Sequence, residues 1–208
     1  MGMQEWLVFV GTVLVFMSTP GPSQLLMLSN SIGSGFQRSL FTEGGALTAN
    51  LLQMIVASVG LVSLIVSSRS FFVVVKWAGV AYLVYLGLKM VLSKPNADLD
   101  REAPEKSRAA LYWQGFFTSA ANPKAVVFFA ALFPQFIDPE RALVSQFVVL
   151  SGTYLVIDAT FLCMYGKGAD WISQKLRPTA RQHLNRLAGS FLLGAAVLLG
   201  LKTSSDAD

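Results

Sequence analysis

Charge is what this sequence has least of. Only 13% of its 208 residues are Asp, Glu, Lys or Arg, while 53% are hydrophobic; a soluble domain carries about 25% charge. That balance excludes an ordinary soluble domain and describes a polytopic membrane protein. Histidine and cysteine are scarcer still, with one of each, His183 and Cys163. A single thiol excludes an internal disulfide and a two-thiol relay. With no histidine and no aspartate pair inside the apolar runs, an intramembrane hydrolase has no base for its nucleophile. Those runs offer one carboxylate and one thiol, too few donors for a divalent cation. No basic segment precedes the first apolar run, and that run is too long and interrupted for a signal peptide, so none is expected. The net charge of +4 sits in short loops between apolar runs. It fits membrane topology better than a nucleic-acid surface.

What is present is six apolar runs, near Glu5 to Leu28, Gly44 to Val66, Phe71 to Leu92, Leu111 to Phe133, Ala142 to Tyr165 and Leu184 to Leu201. Each is long enough to cross a hydrocarbon core of about 30 Å at roughly 1.5 Å per residue. Glycines and hydroxyls at the starts of the second and fifth runs lower hydropathy without forbidding helix, so both can begin earlier. Loops one, three and five with their flanks hold eleven Lys and Arg residues, and the opposite side holds four, Arg69, Lys76, Arg141 and Lys202. The bias puts the odd loops in the cytoplasm and both termini outside. Trp6, Trp77, Trp113 and Trp171 fall near span ends, as interfacial anchors do.

Two of the runs are interrupted. Pro20-Gly21-Pro22 stands inside the first and Asn122-Pro123-Lys124 inside the fourth. Proline cannot donate to the carbonyl one turn back and its ring clashes with that turn, so each helix must break. Freed carbonyls need partners in lipid, which confines such breaks to a protein interior or a wet cavity. The halves also echo one another: Ala78-Gly79 leads to Leu86-Gly87-Leu88-Lys89, and Ala188-Gly189 to Leu199-Gly200-Leu201-Lys202. Three spans per half make the second half inverted relative to the first, the plan of many secondary transporters. The expected fold is therefore an all-α polytopic membrane protein. It has six transmembrane helices as two inverted three-helix repeats, residues 1–92 and 111–208, with proline-broken helices 1 and 4. Residues 93–110 form a cytoplasmic linker. Small residues, Gly45 and Ala49 among them, mark close helix contacts.

Lys124 and Asp158 stand out as charges deep in apolar runs, where charge is costly and usually paired, cavity-facing or functional. They can form a buried ion pair that fixes helix register, or line a cavity in which Lys124 meets a substrate carboxylate and Asp158 an amine or a proton. Half-helix N-termini at the breaks add partial positive charge suited to an anion. Neutral polar residues fall in the same layers: Ser18, Thr19, Ser23 and Gln24; Thr48, Asn50 and Gln53; Thr118, Ser119 and Asn122; and Thr153 and Tyr154, the latter four residues from Asp158 and on its face. The substrate-binding candidates are thus Pro20, Gly21, Pro22, Ser23, Gln24, Asn50, Asn122, Pro123, Lys124, Tyr154 and Asp158. Asp158 is the candidate for proton coupling.

The Pro20-Gly21-Pro22 break, the glycine-rich entry to the second run, Tyr82-Leu83-Val84-Tyr85-Leu86-Gly87-Leu88-Lys89, Asn122-Pro123-Lys124 and Gln135-Phe136 together resemble the LysE/RhtB family of amino-acid exporters. The likeness runs in order along nearly the whole chain. It implies a multi-pass protein of the bacterial inner membrane that exports amino acids or small derivatives, is coupled to protons, needs no cofactor and is often a homodimer. Where many members carry glycines this chain has Ser39 and Ala49, and where many carry aspartate it has Asn50. That last departure shifts the acidic duty onto Asp158. A metal or other cation exporter of the same superfamily is the alternative reading.

Overall fold

The computed structural model describes residues 2–58, 69–92, 106–138, 140–175 and 178–201, and these are helical with no strand among them. Helix α1 (Met3–Ser18) ends at the first break. Helix α2 (Pro22–Ser34) follows, and Gly35, with φ of +80°, turns the chain into α3 (Phe36–Ser58). A side chain resists that positive φ, so glycine is required at this corner. Then come α4 (Arg69–Val91), α5 (Arg108–Ala120), the short α6 (Pro123–Val127), a π turn (Phe128–Leu132), a 3-10 turn (Phe133–Phe136), α7 (Leu143–Lys175) and α8 (Pro178–Leu201). The second apolar run does begin early, two turns before Gly44. The end of that run and most of the expected linker, residues 59–68 and 93–105, lie outside the described residues.

Among the described residues, α7 alone is long and apolar enough to cross a membrane, and α1 with α2 passes the same test as one span bent by 56°. The bend has its cause in sequence. Gly21 is the N-cap of α2, Pro22 its first residue, and the Gly21 N–H donates to Gln24 Oε1 at 3.0 Å. Proline at the first helical position sacrifices no hydrogen bond, so the same residue that ends α1 starts α2 cleanly. The second break repeats the device: Asn122 caps α6 by accepting the Lys124 N–H at 3.1 Å, and Pro123 opens it.

Helices pack through small residues. α3 runs along α5, α4 along α8, and α2 lies against both α3 and α7. A Cβ on Gly45 would sit 2.0 Å from the Tyr112 carbonyl oxygen, and one on Gly115 1.9 Å from that of Thr42. Backbone therefore rests on backbone between α3 and α5, the contact that Gly45 predicts. Between α4 and α8, a Cβ on Gly87 or on Gly189 would lie 2.9 or 2.8 Å from the other's carbonyl oxygen. An aromatic layer fills the space outside the breaks, with Phe9, Phe128, Phe129, Phe133 and Tyr154 buried together. Phe128 and Phe129 meet the Tyr154 ring at 5.3 and 4.8 Å.

Candidate functional site

Each break exposes carbonyls, and the fold supplies donors for them. The Lys124 ammonium donates to the Thr19 carbonyl at the first break and lies 4.7 Å from the centre of the Phe16 ring. Gln53, from α3, donates through Nε2 to the Ala120 carbonyl at the second, at 3.3 Å. The two breaks are also tied directly: Asn122 Nδ2 donates to Ser23 Oγ at 3.3 Å. A side chain from one break thus satisfies or touches the backbone and hydroxyl of the other.

Beside them runs a buried polar chain across three helices. Ser119 Oγ donates to Asn50 Oδ1 at 2.7 Å, and Asn50 Nδ2 donates to Asp158 Oδ2 at 2.7 Å. Asn50 is 3% exposed and Asp158 2%. This asparagine uses its amide in both directions: the carbonyl takes the hydroxyl proton and the NH2 serves the carboxylate. An aspartate at position 50 has no such donor to offer. The contact uses Asp158 Oδ2 as an acceptor whether or not the other carboxyl oxygen carries a proton.

These groups face one void. Its lining includes Ser23, Gln24, Asn50, Asn122, Lys124 and Asp158, with Phe16, Met17 and Tyr154 as apolar walls. The free volume of about 10 Å³ is room for one water. Of the sequence-predicted residues, Ser23, Gln24, Asn50, Asn122, Lys124, Tyr154 and Asp158 line the void. Gly21 is not among the lining residues, but a Cβ there would lie 3.4 Å from Lys124 Cδ and 3.8 Å from Asn122 Nδ2. Pro20 is exposed, and Pro22 and Pro123 act through the backbone. Lys124 and Asp158 do not form an ion pair with each other: the ammonium is held by Thr19 and Phe16, the carboxylate by Asn50. Other hydroxyls turn away, with Thr48 bonded back to the Gly44 carbonyl at 2.8 Å and Thr153 taken by the Trp6 indole at 3.1 Å. An open recess of about 480 Å³ between the start of α1 and the 3-10 turn is bordered by surface ion pairs of Arg141 with Glu5 and Asp138. Its charges are already matched by solvent and one another.

Sequence reading missed one buried charge. Glu43 is 7% exposed, in α3, and accepts a hydrogen bond from the Cys163 thiol at 3.1 Å. Hydropathy puts it just before an apolar run at Gly44, whereas the helix begins at Phe36. The glycine before Phe36 is the stop-and-start signal that could have moved the boundary. A second missed cluster joins α2, α3 and α5, where Asn30 Nδ2 donates to Thr42 Oγ1 at 2.9 Å and to Gln114 Oε1 at 3.3 Å. Lys106, just before α5, reaches in to donate to Asn30 Oδ1 at 2.7 Å, and its own carbonyl accepts from Arg38 at 2.7 Å. Burial, with Lys89 adding repulsion, holds the Lys106 ammonium below the ordinary lysine range. Among the described residues no three His, Cys, Asp or Glu side chains gather as a metal group would need.

No solved structure matches the chain. A membrane protein of Vibrio cholerae, itself uncharacterized, is 33% identical over 96% of this chain and 98% of its own. The homoserine/homoserine lactone efflux proteins of Salmonella typhimurium and Salmonella typhi are each 30% identical over 96% of this chain and 97% of theirs. The LysE type translocator family matches residues 14–203. This chain is a membrane protein and belongs to the LysE type translocator family.

Proposed function

We propose that this protein exports a small zwitterionic amino acid, or a close derivative, across the bacterial inner membrane by alternating access around the two helix breaks. The observation that carries the reading is the opposed placement of Lys124 and Asp158 on one buried void, each held by neutral groups and not by the other. A substrate carboxylate fits the ammonium and the N-terminal amides of α2, and its ammonium fits Asp158. Substrate binding then exchanges Thr19 for the carboxylate at Lys124, which loosens the first break as the site fills. With room for one water, the void must widen to admit a substrate. The break at residues 19–21 is where a helix already lacks continuous hydrogen bonding.

Six spans in two inverted halves, 1–92 and 111–208 with a linker between, suit this cycle. Contact of the first run with the fifth (α2 on α7), of the fourth with the second (α5 on α3) and of the third with the sixth (α4 on α8) supports this reading. In this reading the basic odd loops and the Gly35 corner are cytoplasmic and both termini are outside. Proton coupling follows if a proton and the substrate ammonium compete for Asp158. The relatives named for homoserine and its lactone make homoserine the first substrate to try.

Purified protein in proteoliposomes loaded with labelled homoserine, or with a panel of amino acids, tests this. Export should accelerate when the outside is made acidic. The absence of saturable, gradient-dependent flux for any amino acid would overturn the proposal.

A further inference from the structure

The Asn50–Asp158 contact is not the only polar rung between α3 and α7. Glu43 lies seven residues before Asn50, two turns along the same face and about 10 Å by helix rise. Cys163 lies five residues after Asp158, so the Glu43–Cys163 bond is the next rung of an antiparallel pair. A second void lies here, lined by Glu43, Thr42 and Ser23 among apolar side chains. Ser23 lines both voids, and its hydroxyl accepts from Asn122 Nδ2 at 3.3 Å. The two carboxylates lie close enough to act on one another electrostatically.

We infer that Glu43 is a proton-relay residue that takes the coupling proton from Asp158, by way of Ser23, and passes it toward the cytoplasmic side. The inference rests on the export reading above and deepens it. Three observations bear on it. Glu43 is buried on the rung next to that of Asp158 and the two interact electrostatically, so one proton shared between the carboxylates in a low dielectric relieves both. Among the described residues, Glu43 is the one charged side chain lining the second void, whose other walls are apolar apart from Ser23 and Thr42. Finally, Ser23 can accept a proton on its oxygen as it gives up its own, so Asp158 loses one proton, Glu43 gains one, and the hydroxyl is unchanged.

Other groups near Glu43 do not duplicate the role. From α7, Cys163 donates to it and Lys167 acts on Cys163 from one turn further on. α2 contributes no titratable side chain, and α5 brings the Tyr112 ring against neighbouring Gly44 at 4.0 Å. Glu43 is thus the only carboxylate among the described residues that lines the second void.

The test compares wild type, Glu43→Gln and Asp158→Asn in proteoliposomes by two assays, pH-gradient-driven export and homoserine exchange with no gradient. Glu43→Gln should lose gradient-driven export by roughly tenfold or more and keep exchange within about twofold. Asp158→Asn should lose both. Unchanged gradient-driven export in Glu43→Gln, or loss of exchange along with it, would overturn the relay. If Glu43→Gln yields no monodisperse protein, Glu43→Asp serves: it should retain coupling with a displaced pH profile, and an unmoved profile would overturn the inference. Lack of flux in wild type would instead sink the export reading itself.

Discussion

Asn50 stands at the centre of the residue-scale picture. It binds buried polar groups on two other helices, Ser119 and Asp158, so its removal strands both. Asn50→Leu is expected to destabilise the protein by about 2–4 kcal/mol, because an unsatisfied buried carboxylate and hydroxyl remain. Thermal unfolding in detergent would check this, and a melting temperature within a degree of wild type would contradict it. Lys124→Met should act differently. It takes away a charge-assisted contact worth about 1.5–3 kcal/mol, so apparent substrate affinity should fall by roughly 10- to 100-fold while the folded protein persists. Measuring exchange against substrate concentration separates the two, and an unchanged half-saturation would remove Lys124 from the site.

At the scale of elements, the breaks and the glycine contacts have opposite tasks. The breaks leave backbone carbonyls to be satisfied from elsewhere, by Lys124 and Gln53. The glycines at positions 45 and 115 let α3 and α5 touch backbone to backbone. Gly115→Val is therefore expected to force the pair apart at a cost of about 1–3 kcal/mol or more. A drop in melting temperature, with the neutral control Gly11→Val unchanged, would verify it; a Cβ at Gly11 meets nothing within 4 Å. The Lys106 contact with Asn30 fastens the chain before α5 to α2. Asn30→Ala should leave Lys106 without its buried acceptor and raise cleavage after Lys106, measurable by limited trypsin digestion.

These elements also show what sequence could and could not tell. Both breaks were legible, since proline acts on its own turn and needs no knowledge of neighbours. The polar character of the void was legible for the same reason: Lys124 and Asp158 are anomalies in any apolar run. Partnership was not legible. Sequence alone allows Lys124 to pair with Asp158, and nothing local indicates that the Thr19 carbonyl and Asn50 are preferred instead. Glu43 escaped because hydropathy averages over a window, and a glutamate next to a glycine pair looks like a span end. Asn30 and Gln114 escaped because neutral amides raise no alarm one at a time; only the packing of α2, α3 and α5 makes them a cluster.

For the whole molecule, export and the narrowness of the void have to be reconciled. A cavity fit for an amino acid would hold several waters, and a file of waters also conducts protons. The void between the breaks has room for one. Vesicles carrying the protein without substrate are therefore expected to lose a pH gradient no faster than empty vesicles, which a pH-sensitive dye would show. A leak proportional to protein content would contradict this. The consequence reaches the cell that makes it. An exporter that insulates while idle does not drain the membrane's energy by its presence alone.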